Sequence, residues 1–165
     1  MACQHNKRLN QIIKLLFTLD QKGRLKKSEV GTLQEGDRER YVLAKLILSG
    51  KSKQLSSRSL YSIGVILHHA GSVKDLATAQ ILASEAAAKG YPKARWLGAA
   101  LFDRRCVLLG KPQRYGTQFR LDTQSGRMRL IPTDGLCSDA ERRQLGLPTL
   151  PEIMESLDQH ANVSV

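Results

Sequence analysis

The chain has 165 residues, of which 41% are hydrophobic and 25% charged, and its formal net charge is +11. That length suits one domain over residues 1–165 with a core that needs no staples, and the composition excludes wholesale disorder. The positive balance points to anionic partners, and it is uneven: residues 1–60 carry 13 Lys and Arg against 5 Asp and Glu.

Residues 7–20 read as a helix, because Leu9, Ile12, Ile13, Leu16 and Leu19 recur at helical spacing. Gln21–Glu29 is polar and extends that helix by a turn before looping out. Glu39–Leu48 reads as a second helix, ended by Ser49-Gly50. Lys51–Ser59 is basic and serine-rich; it reads as a solvated connector, with phosphate contact as the alternative. Leu60–Ala70 is an apolar helix stopped by Gly71. Ser72 then has the character of an N-cap, with Asp75 three residues on to complete a capping box. The helix that follows runs to Lys89 and stops at Gly90; Pro92 opens another that reaches Leu109 and Gly110. The phrase Ala83–Gly90, followed by Ala94 and Leu97-Gly98, resembles one unit of a Sel1 or tetratricopeptide hairpin. A solenoid needs about three such units. The expected fold is therefore mainly α, a compact helical bundle with one repeat-like hairpin. Phe119–Arg129 alternates around Thr123-Gln124-Ser125-Gly126 and predicts a short C-terminal β-hairpin. Ser138-Asp139 caps a short helix over Ala140–Leu145, and Pro148–His160 forms the last one. Residues 1–6 and 161–165 are expected to be flexible ends.

Charged residues on apolar helical arcs are the first candidates for chemistry. On a helical wheel, Asp103 and Arg104 fall inside the apolar arc of the Pro92–Leu109 helix. Asp20 falls in the arc of Leu9, Ile13, Leu16 and Phe17, with Arg24 one turn on. A charge on a packing face costs free energy unless it is paired, so each is either a structural ion pair or part of a site. His68 and His69 end the central helix, where an imidazole can exchange a proton near neutral pH or simply cap the helix. His5 and His160 lie near the chain ends, so the histidines form no metal set, and neither metal nor other cofactor is expected. Cys3, Cys106 and Cys137 match no zinc or redox spacing and suit a reducing compartment; Cys106 reads as a small core residue. No apolar run approaches the roughly 18 residues of a membrane span. Lys14 interrupts the apolar run Ile12–Phe17, which argues against a leader. A cytoplasmic protein without a membrane partner is expected.

Gly110-Lys111-Pro112-Gln113-Arg114-Tyr115-Gly116-Thr117-Gln118 is the most distinctive segment. Two glycines and a proline set an irregular backbone that carries amides, a guanidinium, a phenol and a hydroxyl. Such a loop either presents directional hydrogen bonds to a ligand or caps neighbouring backbone. Its spacing is not that of a Walker loop.

Asp103-Arg104 followed by this segment resembles the signature of a bacterial family of helical domains of unknown function. Asp20-Gln21 with Arg24, His69 at the end of the central helix, and Arg142-Arg143 with Leu145-Gly146-Leu147-Pro148 resemble further phrases of that family. The likeness runs from Asp20 to about Leu150. His68 is a departure, since the family usually has Gln there, and His69 is the better match. The resemblance implies no reaction; it implies that the inward-facing polar residues belong with the Gly-Thr-Gln loop.

The expected function is a small-molecule or peptide-processing enzyme, or a ligand-binding protein, with its site in a helical cleft. His69, Asp103 and Asp20 would supply acid–base chemistry. Arg24, Arg104, Gln113, Arg114, Tyr115, Thr117 and Gln118 would hold a polar or anionic substrate. No cysteine or serine stands out as a nucleophile. One alternative is a helical protein-interaction scaffold built on the repeat-like hairpin. The other is a basic nucleic-acid-binding module, disfavoured because aromatic residues, at 5%, leave few stacking platforms.

Overall fold

The computed structural model describes residues 2–25, 30–50 and 54–161. The chain is mainly helical. In order come α1 (Ala2–Leu25), α2 (Val30–Ser49), α3 (Ser57–Ala70), α4 (Val73–Ala88) and α5 (Lys93–Leu108). A hairpin of β1 (Phe119–Asp122) and β2 (Arg127–Leu130) follows, then α6 (Asp139–Gln144) and α7 (Leu150–Ala161). The residues gather into two compact units, Met1–Leu97 and Gly98–Val165, and α5 runs across the boundary.

The first two helices are longer than their apolar periodicity predicts. α1 starts at Ala2, so the expected loose start is helical except for Met1, which lies outside the described residues. α2 starts at Val30 rather than Glu39. Its polar first half is held by tertiary pairing: the Asp37 carboxylate accepts from Arg24 on α1 at 2.7 Å. The expected loop and connector fall partly on residues 26–29 and 51–53, which also lie outside the described residues, as do the last four of the expected C-terminal tail. α3 starts at Ser57 because Ser56 caps it, its hydroxyl accepting from the Ser59 N–H.

In the first unit α3 is the centre, with α1, α2 and α4 packed on it. Every residue from Leu60 to Leu67 is buried, the mark of a helix covered on all sides. Gly64 lets Leu97 approach, since a Cβ there would lie 3.0 Å from the leucine side chain. The Ser72–Asp75 capping box is complete, so α4 starts where its cap residues place it. Asp75 also receives the Tyr41 hydroxyl at 2.9 Å and Lys45 Nζ at 2.6 Å, which ties α2 to the start of α4.

In the second unit the expected hairpin is present and pairs Phe119 with Leu130 and Asp122 with Arg127. Gln113 and Thr133 bridge beside it, and α7 packs against β2. α6 opens with a second complete capping box, Ser138 and Glu141, and buries one side chain, Arg142.

Burial pushes the Asp75 carboxyl up, but hydrogen bonds from Lys45, Ser72 and Tyr41 outweigh it and hold the group well below the usual carboxylate range. A depressed carboxyl stabilises the fold above its unfolded value, near 3.8, and loses that contribution as pH falls through its folded value. Acid titration followed by circular dichroism should therefore show stability falling below pH ~4 in the native chain, with a flatter profile in Asp75→Asn. At neutral pH Asp75→Asn should cost about 1–3 kcal/mol in urea denaturation.

Candidate functional site

The polar residues singled out by the sequence form two constellations, one in each unit. In the first unit Asp20, on the inner face of α1, is 1% exposed. Its carboxylate accepts from Gln21 Nε2 at 2.8 Å and from Arg24 at 3.1 and 3.3 Å. Arg24 reaches on to Asp37, which also accepts from Arg40 Nη2 at 2.8 Å, and Arg40 Nε lies 3.5 Å from Asp20. Two carboxylates and two guanidinium groups thus balance one another between α1 and α2. Burial raises the Asp37 carboxyl, but Arg40 and Arg24 outweigh it and the net shift is downward. His69, at the end of α3, brings Nε2 to 3.8 Å from Asp20 Oδ2, with its side chain 23% exposed. An imidazole there is placed against a negative charge while part of its ring faces outward. Asp37 and Arg40 were missed by sequence reasoning, because both lie in the polar first half of α2, where no apolar stripe flags them.

In the second unit Asp103 on α5 is wholly buried. It accepts from the backbone N–H of Arg114 at 2.8 Å, of Tyr115 at 2.9 Å and of Thr117 at 3.0 Å, and from the Thr117 hydroxyl at 2.8 Å. Both oxygens are engaged by donors of the loop that follows, so the group acts as the loop's anchor. Gln113 is also wholly buried. Its amide donates to the carbonyls of Gln118 and Ile131 at 2.9 and 2.6 Å and accepts from the Gln118 N–H at 2.8 Å. Gln118 in turn donates to the Ala100 carbonyl and to the Thr117 hydroxyl. These side chains replace the ladder bonds that irregular backbone lacks.

Arg142 completes the arrangement. It is 0% exposed and has no ion-pair partner among the described residues. Its guanidinium donates to the Pro148 carbonyl at 2.7 Å and to the Tyr115 carbonyl. Gly116 lies against it in the left-handed region, at φ 64°. A Cβ at Gly116 would stand 3.2 Å from Arg142 Nη1 and 3.1 Å from the Leu150 side chain, so glycine is required by conformation and by space. The Arg142–Pro148 and Gly116–Gln118 phrases, far apart in sequence, are therefore one packed unit.

The outer side of the loop borders a cleft of about 360 Å³. Phe102 and Cys106 of α5, with Leu109 just after it and Pro112, supply its apolar wall. Arg105, Lys111 and Arg114 supply three cations, and Asp134 the single carboxylate. Arg114 lies 5.6 Å from the centre of the Phe102 ring and donates from Nε to Asp134 at 3.0 Å. Tyr115 meets the same ring in a T-shaped arrangement, 5.6 Å between centroids. Cys106 is half-buried at this wall, which corrects its reading as a core residue. Burial, followed by the charge of Asp103, pushes its thiol up, so it is a thiol rather than a thiolate at neutral pH. Arg104 is half-buried on α5. Of the residues expected to bind substrate, Arg114 lines the cleft. Phe102, Arg105, Lys111 and Asp134 were not flagged by sequence reasoning, since nothing in their spacing reveals a concavity.

Among the described residues, no helix is long and apolar enough to cross a membrane. Neither a family model, nor a curated protein, nor a solved structure matches this chain.

Replacing Asp103 with Asn turns an acceptor into a donor facing backbone N–H groups. Asp103→Asn should cost about 2–4 kcal/mol in chemical denaturation. Arg114→Ala, which removes only a solvent-screened pair, should leave the denaturation midpoint nearly unchanged. Equal effects would rule out the anchoring role.

Proposed function

We propose that the protein binds a small anionic molecule with an apolar or aromatic portion, in the cleft beside the Gly110–Gln118 loop, as a ligand-binding protein or as an enzyme acting on that class of substrate. The observation that carries this reading is the charge of the cleft wall: three cations against one carboxylate, and that carboxylate already bonded to Arg114. A cavity of this volume lies in the range of small-molecule sites, roughly 300–1,000 Å³. Arg105, Lys111 and the free end of the Arg114 guanidinium suit a phosphate or carboxylate, while Phe102, Leu109 and Pro112 suit the rest of the ligand. In this reading Asp103, Gln113, Thr117 and Gln118 do not touch the ligand; they hold rigid the backbone that presents Arg114.

The placement of His69 favours a second reading, in which acid–base chemistry resides in the first unit. Both carboxylates have both oxygens engaged, but only Asp20 has an imidazole beside it, that of His69, with part of its ring exposed. His69 would exchange the proton, Asp20 would orient the ring, and Arg24 would attract an anionic group. A His69→Asn chain that keeps its melting temperature but loses turnover would support this reading, and full turnover would remove it.

The binding reading is tested by nitrogen–proton NMR titration with phenyl phosphate and, separately, with inorganic phosphate. Phenyl phosphate should perturb the amides around Phe102, Cys106 and Lys111–Arg114 and bind more tightly than phosphate. Arg114→Ala and Lys111→Ala should each weaken it about 5–20-fold, as loss of one charge-assisted hydrogen bond implies. Perturbations spread evenly over the lysines of α1, or an unchanged affinity in Arg114→Ala, would sink the proposal.

A further inference from the structure

Large apolar side chains are exposed on the outer sides of α1 and α2 in a regular order. Ile12, Leu15 and Leu19 on α1, with Val42, Leu43 and Leu46 on α2, are between 43% and 67% exposed. On α1 they form a stripe with Arg8 and Lys22, spaced alternately four and three residues apart from Arg8 through Lys22. On α2 the same four-three-four spacing joins Glu35, Glu39, Val42 and Leu46, with Leu43 alongside. That alternation is the heptad seam by which one helix inserts side chains between those of another. Neither stripe faces the core: α1 turns Ile13, Leu16 and Asp20 inward, and α2 turns Ala44.

The charges on the two stripes are opposite. Arg8 and Lys22 bracket the apolar residues of α1, whose sole acid, Asp20, is buried. Glu35 and Glu39 lead into the apolar residues of α2. All four are exposed and have no ion-pair partner among the described residues. Arg38 stands at the margin of the α2 stripe, and Lys45 is engaged by Asp75. The chain therefore carries both halves of a complementary seam, which is what a two-fold homodimer requires: the α1 of each copy meets the α2 of the other. Whichever way the helices run, one end of the α1 stripe brings a cation to Glu35 and Glu39. An anionic polymer or lipid surface fits less well, because the glutamates would face it.

We infer that the outer faces of α1 and α2 form a docking surface for a second copy of this chain. Sedimentation velocity on the full chain should show a monomer–dimer equilibrium below roughly 200 µM, within reach of a modest helical interface. Leu15→Glu with Leu46→Glu should raise the dissociation constant at least tenfold without lowering the melting temperature, since both side chains are exposed. A charge exchange gives the sharper result. Arg8→Glu with Lys22→Glu makes both stripes acidic, and Glu35→Lys with Glu39→Lys makes both basic. Each variant alone should be monomeric, and an equimolar mixture should dimerise as a heteropair. A native chain that stays monomeric throughout this range, one that instead pelets with anionic vesicles as a monomer, or a mixture that does not associate would each overturn the proposal.

Discussion

Two buried opposite charges take hold of one residue of the loop. Asp103 accepts the Tyr115 N–H, and Arg142 donates to the Tyr115 carbonyl. They form no ion pair with each other; Asp103 is met by N–H groups of the loop, and Arg142 by the carbonyls of Tyr115 and Pro148. A charge removed from water must find such partners or be expelled, so the loop cannot move without leaving either group unsatisfied. This coupling turns nine residues of irregular backbone, Gly110–Gln118, into a defined surface, and Gly116 is the point at which no side chain fits. The position of Arg114 on the cleft side follows from it, because Asp103 also accepts the Arg114 N–H.

The first unit solves a similar problem with a different material. Its helices already satisfy their own backbone, so its buried carboxylate pairs with side chains: Arg24 and Arg40 around Asp20 and Asp37. Asp20 and Asp103 look alike in the sequence, each an acid on an apolar arc. Their surroundings give them different work. Asp103 organises backbone, while Asp20 gathers cations and stands beside an imidazole. For Asp103 this favours a supporting role over a part in proton transfer, and it shifts interest to the side chains that the loop presents outward.

The regular elements were legible because their signals are local. Ser72 and Asp75, or Ser138 and Glu141, satisfy each other across one helical turn, and nothing beyond that turn is needed to start the helix. Gly90, Gly110 and Gly126 adopt positive φ where the chain must stop or reverse. The start of α2 was not legible, because Asp37 and Arg40 become helical residues with a purpose only once Arg24 is opposite them.

The sequence by itself determined the helical class, the presence of a C-terminal hairpin, and that Asp20 and Asp103 put charge on apolar helical arcs. These follow from periodicity, capping and desolvation cost, each of which acts over a few residues. Only the tertiary structure decided which partners those charges take, that Arg142 reaches Tyr115 across the second unit, and that Phe102, Arg105, Lys111 and Arg114 enclose a cleft. Concavity and long-range pairing are properties of how segments meet in space, and no spacing along the chain encodes them.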